Sequence, residues 1–183
     1  MSAPIVRPAT PDDAAAIADA HVRGWQAAYR GLVPDAILDG FDVERRAAAW
    51  QGRLTGDPGD APTSWTWVAE ASDGTVVGFC QAGVARDEGV APPDGAGEVY
   101  AIYLRPERRG EGFGRALFAT AVAQLDAAGL DPVLVWVFEA NDATRRFYET
   151  AGFVADGARH PIDFDGVVIP EVRYTRAVAR SRP

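Results

Sequence analysis

Apolar residues recur along this sequence with two periods, one typical of helices and one typical of strands. Residues three or four positions apart form one apolar helix face, at Ala14, Ile17, His21, Trp25 and Ala28. Residues 10–13 (Thr-Pro-Asp-Asp) precede this face with a capping residue, a proline and two acids, which is how helices commonly begin. Gly31 and Pro34 interrupt the pattern, and a second helix is predicted over 43–54.

Alternating and continuous apolar segments predict the strands. They lie at 5–7, 65–71, 76–85, 98–104, 133–138, 153–155 and 171–178. Asp73-Gly74 is a strong hairpin turn between two of them. The segment 133–138 is apolar throughout, which is typical of a central strand covered on both faces. Segments 56–62 and 87–97 are rich in glycine, proline and acid, so we expect loops there, the second of them mobile.

Two further helices alternate with these strands in the second half of the chain. The stretch 109–129 predicts a long helix with a buried face at Leu117, Ala121, Leu125 and Ala128. Asn141 is placed to cap a helix that ends near Gly152. The alternation of strands and helices predicts an α/β (α+β) fold with a mixed central sheet flanked by helices. At 183 residues, one domain over 1–183 is expected.

Composition and charge exclude several classes of protein. Hydrophobic residues are 48% and charged residues 24% of the chain, which is typical of a soluble globular protein. The net charge of −8 disfavours binding to a phosphate backbone or an anionic membrane, so we expect neither a nucleic-acid nor a membrane partner. No apolar run is long enough to span a bilayer and no signal segment opens the chain, so we expect a cytoplasmic protein.

The residue types that are rare in this chain limit its chemistry further. All 18 basic residues are arginines, so a Schiff-base lysine and a P-loop lysine are excluded. One cysteine and two histidines cannot build an internal disulfide or a Cys/His zinc site, and we expect no metal. Cys80 and His21 are interpreted as core residues. His160 is predicted to lie in a loop before the last strand.

The strongest chemical signal is the glycine-rich turn at 109–114, Arg-Gly-Glu-Gly-Phe-Gly, between a strand and a long helix. Glycines allow a tight turn and close approach of a ligand, and the helix start offers unpaired N–H groups. Arginines at 105, 108, 109 and 115 make the stretch locally basic within an acidic protein. We expect a phosphate-bearing ligand here. The dinucleotide pattern does not fit, because Arg115 stands where it needs a third glycine.

Together with a second segment, this turn resembles the GCN5-related N-acetyltransferase (GNAT) superfamily. Arg109-x-x-Gly112-x-Gly114 after the strand 98–104 is similar to the acetyl-coenzyme A signature of that family. Residues 141–153 resemble its Asn-x-x-Ala-x-x-Phe-Tyr-x-x-x-Gly-Phe element, with Thr144 in place of the alanine. The match is specific over 98–155, the cofactor-binding core that the resemblance implies. It also implies a GNAT fold of about six to seven strands with a splayed, V-shaped cleft.

The resemblance implies how acetyl-CoA, the co-substrate, would bind. The pantetheine arm would pair with the strand backbone near Ile102, Tyr103 and Leu104, and Asn141 would lie near it. The pyrophosphate would lie on the turn, and arginines 108, 109, 145 and 146 are candidates to reach it. The implied cofactor-binding residues are Ile102, Tyr103, Leu104, Arg109, Gly110, Glu111, Gly112, Phe113, Gly114, Arg115, Asn141 and Tyr148.

Amide formation from an amine and a thioester needs a base for the ammonium and an acid for the leaving thiolate. Glu98 lies eleven positions before Arg109, the offset of the general base in histone-type members of the family. Tyr148 corresponds to the family's usual general acid. The alternatives are a solvated edge carboxylate for Glu98 and a packing aromatic for Tyr148. Trp25 and Tyr29 are candidates to stack on the acceptor or to belong to the core.

The resemblance implies an acyl-CoA-dependent acetyltransferase, and a small-molecule primary amine is the favoured acceptor. Protein N-termini or lysines are the alternative acceptors. A non-catalytic acyl-CoA-binding sensor is the alternative from another class, although the chain carries both Glu98 and Tyr148. Edge strands of this family often pair between subunits, which favours a homodimer.

Overall fold

The computed structural model describes residues 4–56, 63–87 and 89–176 of the chain. The strands are β1 Ile5–Pro8, β2 Ser64–Glu70, β3 Val76–Val84, β4 Gly97–Leu104, β5 Val133–Phe138, β6 Val154–Phe164 and β7 Val167–Arg176. The helices are α1 Ala14–Tyr29, α2 Asp35–Asp39, α3 Val43–Leu54, α4 Phe113–Ala127 and α5 Asp142–Thr150. Short 3-10 turns at Pro11–Asp13 and Pro106–Arg108 precede α1 and the glycine-rich turn.

One open sheet carries all seven strands, in the order β1-β2-β3-β4-β5-β7-β6. Every neighbouring pair is antiparallel except β4 and β5, which run parallel. The predicted α/β fold with a mixed sheet of six to seven strands is therefore confirmed. Parallel neighbours need a crossover connection, and α4 supplies it here.

The two faces of the sheet carry separate apolar clusters. One cluster packs α4 and α5 against the sheet through residues such as Leu117, Leu125 and Phe153. On the opposite face, Ile17 of α1 and Trp50 of α3 pack against Phe79 of β3. A third cluster covers the end of β5. The sheet is thus buried on both sides near β3 and β4.

The parallel pairing of β4 and β5 is short, and the two strands then separate. Their register runs from Gly97 opposite Val133 to Val99 opposite Val135, and it goes no further within the described residues. On its other side β4 stays paired with β3 as far as Leu104. A register shift between Gln81 and Ala82 in the β3 ladder accompanies the divergence. The result is the V-shaped opening that the resemblance implied.

The C-terminal hairpin differs from the sequence prediction. His160, predicted to lie in a loop, belongs to β6, which continues to Phe164. The last strand begins at Val167 and not at 171. Polar residues, Gly157 and Pro161 give β6 a weak strand signal, and pairing along β7 stabilises it instead. The sequence prediction was wrong because it overlooked a local turn signal. Asp165 and Gly166, both at positive φ, form the tight turn that joins the two strands.

Other boundaries agree to within a few residues, with one helix missed. The five-residue helix α2 is too short to show a helical period in the sequence. Most of the predicted loop at 56–62 lies outside the described residues. No helix of the described ranges is both long and apolar enough to cross a membrane.

Candidate active site

A cavity of about 980 Å³ lies beside the divergence of β4 and β5. Its rim is the glycine-rich turn, and its wall is formed by one face of α4 together with α5. The predicted cofactor-binding residues that line it are Leu104, Arg109, Gly110, Glu111, Gly112, Gly114 and Arg115. The sequence therefore identified the rim of this cavity.

The turn has the geometry of an anion site. Gly110 and Gly112 have φ angles of +83° and +92°, a region that glycine enters without steric cost. Gly112 caps α4, so the first N–H groups of the helix have no partner in the preceding turn of helix. The helix dipole adds positive potential at the same point. Phe113, also predicted to bind the cofactor, does not line the cavity: its side chain is buried in the core, with the Arg108 guanidinium 5.3 Å from the centre of its ring.

Arginines near the turn divide into two groups. Arg115 and Arg146 line the cavity, and Arg109 lines it while donating to the carbonyl of Gly24 at 3.2 Å. Arg108 instead pairs with Glu111 at 2.8 Å. Arg145 donates to the Tyr174 hydroxyl at 3.0 Å and to the Glu139 carbonyl. It therefore connects α5 to β7 and to the residue that follows β5.

Sequence reasoning missed the apolar wall of the cavity. Small residues Ala119 and Ala123 of α4 leave space there, and Phe118, Val122 and Phe147 complete the surface. The sequence carries one signal for this wall. Ala119 and Ala123 are four positions apart, so they share a face of α4, and this face differs from the one that was predicted to be buried. Asp126 and Arg176, joined at 2.8 Å, close the far end.

The edge of β4 that β5 leaves reaches this cavity at Leu104, whereas Ile102 and Tyr103 do not line it. Ile102, Tyr103 and Leu104 pair with β3 on one side only, because β5 has already diverged. Ile102 and Leu104 pack toward the α4 face, whereas Tyr103 packs toward α1. The edge can therefore accept an extended ligand as an added strand.

Three tyrosines from different elements surround the divergence. The Tyr29 and Tyr103 hydroxyls are 3.2 Å apart. Tyr148 of α5 is buried at 5% exposure, and burial is the main cause that raises its pKa well above the usual range. The charge of Glu171 raises the pKa of the same phenol further. Tyr148 is therefore a protonated phenol throughout the neutral range.

Glu98 lies at the closed end of the V, where β4 and β5 are still paired. Its carboxylate is buried at 3% exposure and accepts from the Arg86 backbone N–H at 3.0 Å. The Arg86 guanidinium donates to its other oxygen at 3.2 Å. Each carboxylate oxygen has two lone pairs, so capacity for a water molecule remains. Asn141 accepts from the Thr144 N–H at 3.2 Å, as a helix cap does.

Trp25 and Tyr29 belong to a row of aromatic rings on the α1 side of the divergence. The Trp25 ring lies 4.8 Å from those of Tyr29 and Phe41 and 5.9 Å from that of Phe164. The Tyr29 ring lies 4.6 Å from that of Phe138 at the end of β5. This aromatic row joins α1 to the β6–β7 hairpin.

Two residues interpreted as core lie in the core. Cys80 is fully buried, and burial raises the pKa of its thiol. His21 packs among the rings of Trp50, Phe79 and Tyr103, and burial lowers its pKa to about 3. Neither contributes a charged or nucleophilic group to the cavity at neutral pH. The described residues contain no cluster of ligands suited to a metal ion.

Two known proteins resemble this chain over different shares of its length. YuaI of Bacillus subtilis, an uncharacterized N-acetyltransferase, is 34% identical over 137 residues, which cover 74% of this chain and 72% of YuaI. Mycothiol acetyltransferase of Thermobispora bispora is 48% identical over 81 residues, but these are 44% of this chain and only 27% of that protein.

Solved structures share the fold at low identity. The paiA N-acetyltransferase of Thermoplasma acidophilum, crystallised with coenzyme A, has a TM-score of 0.68 at 17% identity over 97% of this chain and 100% of that one. A Salmonella typhimurium structure with its cofactor acetyl-CoA has a TM-score of 0.69 at 21% identity, covering 100% of this chain and 98% of that one. The model of the acetyltransferase (GNAT) family matches residues 25–153, most of the chain. The protein is therefore an acyl-CoA-dependent acetyltransferase of the GNAT family.

Proposed function

We propose that this enzyme transfers the acetyl group of acetyl-CoA to a primary amine of a small molecule. The observation that carries the proposal is the cavity where β4 and β5 diverge, with an anion-binding turn at its rim and the buried Tyr148 beside the divergence. Relatives named as acetyltransferases and fold neighbours crystallised with CoA or acetyl-CoA support it.

The residues around the cavity fit acetyl-CoA. The N–H groups at the start of α4, with Arg115 and Arg146, suit a pyrophosphate. The unpaired edge of β4 at Ile102–Leu104 suits the amide groups of a pantetheine arm. Asn141, already a cap of α5, stands at the other side of the V as a further candidate for the arm. When bound, acetyl-CoA supplies an electrophilic thioester carbonyl and a thiolate leaving group.

Tyr148 is proposed as the general acid. As the acceptor nitrogen forms its bond to the carbonyl carbon, the C–S bond breaks and the sulfur needs a proton. Burial keeps the Tyr148 phenol protonated, so it holds that proton ready in the neutral range. Exchange with solvent then returns a proton to the phenol.

Glu98 is proposed as the general base, acting through a water molecule. The acceptor ammonium must lose one proton before its nitrogen has a lone pair. The remaining lone pairs of the Glu98 carboxylate can take up a water that receives this proton. The acceptor nitrogen loses two protons in total, one before it attacks the carbonyl carbon and one as the amide forms. In the balance of the reaction, one proton ends on the sulfur of CoA and the other is released to solvent.

A small molecule is preferred over a protein as the acceptor because of the aromatic row. Trp25, Phe41 and Phe164 form a partly exposed wall from α1 to the hairpin, which suits a compact ligand. The name of the mycothiol acetyltransferase of Thermobispora bispora, of whose length the chain matches 27%, also points to a small molecule. Trp25 and Tyr29 are the proposed acceptor-binding residues.

Thiol release from acetyl-CoA in the presence of a broad panel of amines tests this function. Turnover that requires an amine is the expected result. Acetyl-CoA binding by calorimetry without turnover on any small amine, protein N-terminus or lysine peptide would identify an acyl-CoA sensor. Turnover with peptides alone would instead indicate that the acceptor is a protein.

A further inference from the structure

A partly buried arginine of α3 continues the aromatic row, away from the cofactor cavity. The Arg46 Cζ lies 5.1 Å from the centre of the Phe41 ring. The Phe41 ring in turn lies 4.8 Å from that of Trp25, a proposed acceptor-binding residue. Arg46 therefore adds a positive charge to the wall of the proposed acceptor site, and the reaction described above does not use it.

The Arg46 guanidinium has no hydrogen-bond or ion-pair partner within the described part of the chain. Asp42, one helical turn earlier, stands where such a partner is expected, but it caps α3 by accepting from the N–H groups of Glu44 and Arg45 at 2.8 and 3.1 Å. Burial is the main cause that lowers the pKa of Arg46, and the charge of Arg53 lowers it further. A cation that is partly removed from water without an anion beside it is unfavourable, and a bound anion would offset that cost.

The other arginines show why an unpaired guanidinium is informative in this acidic chain. Among the described residues, the arginines without a carboxylate partner are Arg45, Arg46, Arg53, Arg109, Arg115 and Arg146. Arg109, Arg115 and Arg146 line the cavity that suits the phosphates of acetyl-CoA. Arg45 and Arg53 are exposed, so water solvates their charge. Arg46 is neither exposed nor at that cavity, which points to a second anion.

Arg46 also lies near the tyrosines at the divergence of β4 and β5. The charges of its guanidinium and of the Tyr103 phenol act on each other. The Tyr103 and Tyr29 hydroxyls are 3.2 Å apart, and the Trp25 ring contacts those of both Tyr29 and Phe41. A short ligand lying along these rings would have Arg46 at one end and the two hydroxyls, beside the divergence, at the other.

We propose that Arg46 binds a carboxylate of the acceptor, and that the wall of Trp25, Phe41 and Phe164 holds an apolar body that joins this carboxylate to the reacting primary amine. The acceptor class is therefore an amino-carboxylate with an aromatic or apolar spacer. The planar guanidinium matches both oxygens of a carboxylate, and its contact with the Phe41 ring helps to hold it in place. The inference rests on the proposed acetyl transfer, because it specifies the acceptor of that same site.

The test compares 4-(aminomethyl)benzoate with 4-(aminomethyl)benzamide by calorimetry on the CoA-saturated protein. The two probes share the primary amine and the ring, and only the first carries a carboxylate. We expect the wild-type chain to bind the benzoate at least about tenfold more tightly than the benzamide. Arg46→Met keeps an apolar stem over Phe41 and should remove that preference, while an affinity for CoA within about twofold of the wild type shows that the variant is folded. Absence of the preference in the wild-type chain, or its survival in Arg46→Met, overturns the proposal.

Arg45→Met is the matched control, because it removes the same charge from the neighbouring, exposed position of α3. The control should retain the carboxylate preference, and an equal loss in both variants would reduce the effect to net charge and overturn the site. The result is separable from the acetyl-transfer proposal. An Arg46-dependent preference without thiol release on any amine refutes transfer only, whereas thiol release with no carboxylate preference refutes this site only.

Discussion

Glu98 accepts hydrogen bonds on both of its carboxylate oxygens from one residue, Arg86. The backbone N–H and the guanidinium of Arg86 reach separate oxygens, at 3.0 and 3.2 Å. The same guanidinium lies 4.0 Å from the centre of the Tyr100 ring, so it links Glu98 to a second side chain of β4. This arrangement holds the carboxylate in one orientation while its remaining lone pairs stay available.

Glu98→Gln should lower kcat by about a hundredfold, the range that a positioned base contributes. The variant keeps the shape of the side chain but cannot take up a proton, so the acidic limb of the kcat/KM profile against pH should disappear. Steady-state thiol release from pH 5 to 9 measures both effects.

Arg86→Met is the control for this prediction. It keeps the Glu98 carboxylate and its bond from the backbone N–H, and it should retain the acidic limb. An unchanged profile in Glu98→Gln, with a lower free energy of unfolding, would instead make Glu98 an anchor for the Arg86 segment.

Local features of the site could be predicted from the sequence, because each is set by neighbouring residues. The turn at 109–114 depends on glycines that adopt positive φ and on a helix that begins beside them. Asn141 as a helix cap is likewise a contact over three residues. The separation of β4 from β5 is not local: it was implied by the family resemblance, and the register ends at Val99 opposite Val135, in agreement with it.

Features set by long-range contacts could not be predicted. Arg145 donates a hydrogen bond to Tyr174, which lies 29 residues away in the sequence. No local pattern distinguishes Arg145 from its neighbour Arg146, which lines the cavity. The position of Glu171 opposite Phe138 depends on the register of β7 against β5, which are far apart in the sequence. A change of register by one residue would turn Glu171 to the other face.

Tyr148→Phe should reduce kcat by about a hundredfold and leave acetyl-CoA affinity within about twofold. Only the hydroxyl is removed, so the ring still packs near those of Phe118 and Phe153. Steady-state kinetics together with calorimetry separate the two quantities.

Tyr174→Phe is the matched control, since its hydroxyl also lies in this core but bonds Arg145 and Glu149. It should lower the free energy of unfolding by about 1–3 kcal/mol with little change in kcat. If the two variants reduce kcat equally, the role of Tyr148 is packing and not proton donation.

Gly112→Asp should weaken acetyl-CoA binding by about tenfold to a hundredfold, because a charge-assisted hydrogen bond to the phosphates is replaced by repulsion between like charges. The substitution places a carboxylate at the first N–H groups of α4, and the φ of +92° adds backbone strain. Calorimetry with acetyl-CoA measures the change in affinity.

Gly129→Asp controls for the strain. Gly129 follows the other end of α4 with a φ of +75°, and a Cβ there would meet no atom within 4 Å. This variant should be destabilised to a comparable degree but keep its affinity for acetyl-CoA. Equally weakened binding in both variants would place the phosphates elsewhere.

His21 should make the protein less stable as the pH falls below neutral. Burial, with smaller effects of Arg46 and Arg53, lowers its pKa to about 3, whereas in the unfolded chain it titrates near 6.5. Between these values the unfolded state binds a proton that the folded state does not, so the free energy of unfolding falls as the pH falls. Relative to pH 7, the cost at pH 5 is about 2 kcal/mol.

Urea unfolding of the wild type and of His21→Phe at pH 7 and pH 5 measures this contribution, and the wild type should lose about 2 kcal/mol more than the variant. His160→Gln removes the other histidine of the chain and should keep the His21 contribution to the pH dependence. Parallel pH dependence in the wild type and His21→Phe would mean that the His21 imidazole is protonated inside the ring cluster of Trp50, Phe79 and Tyr103.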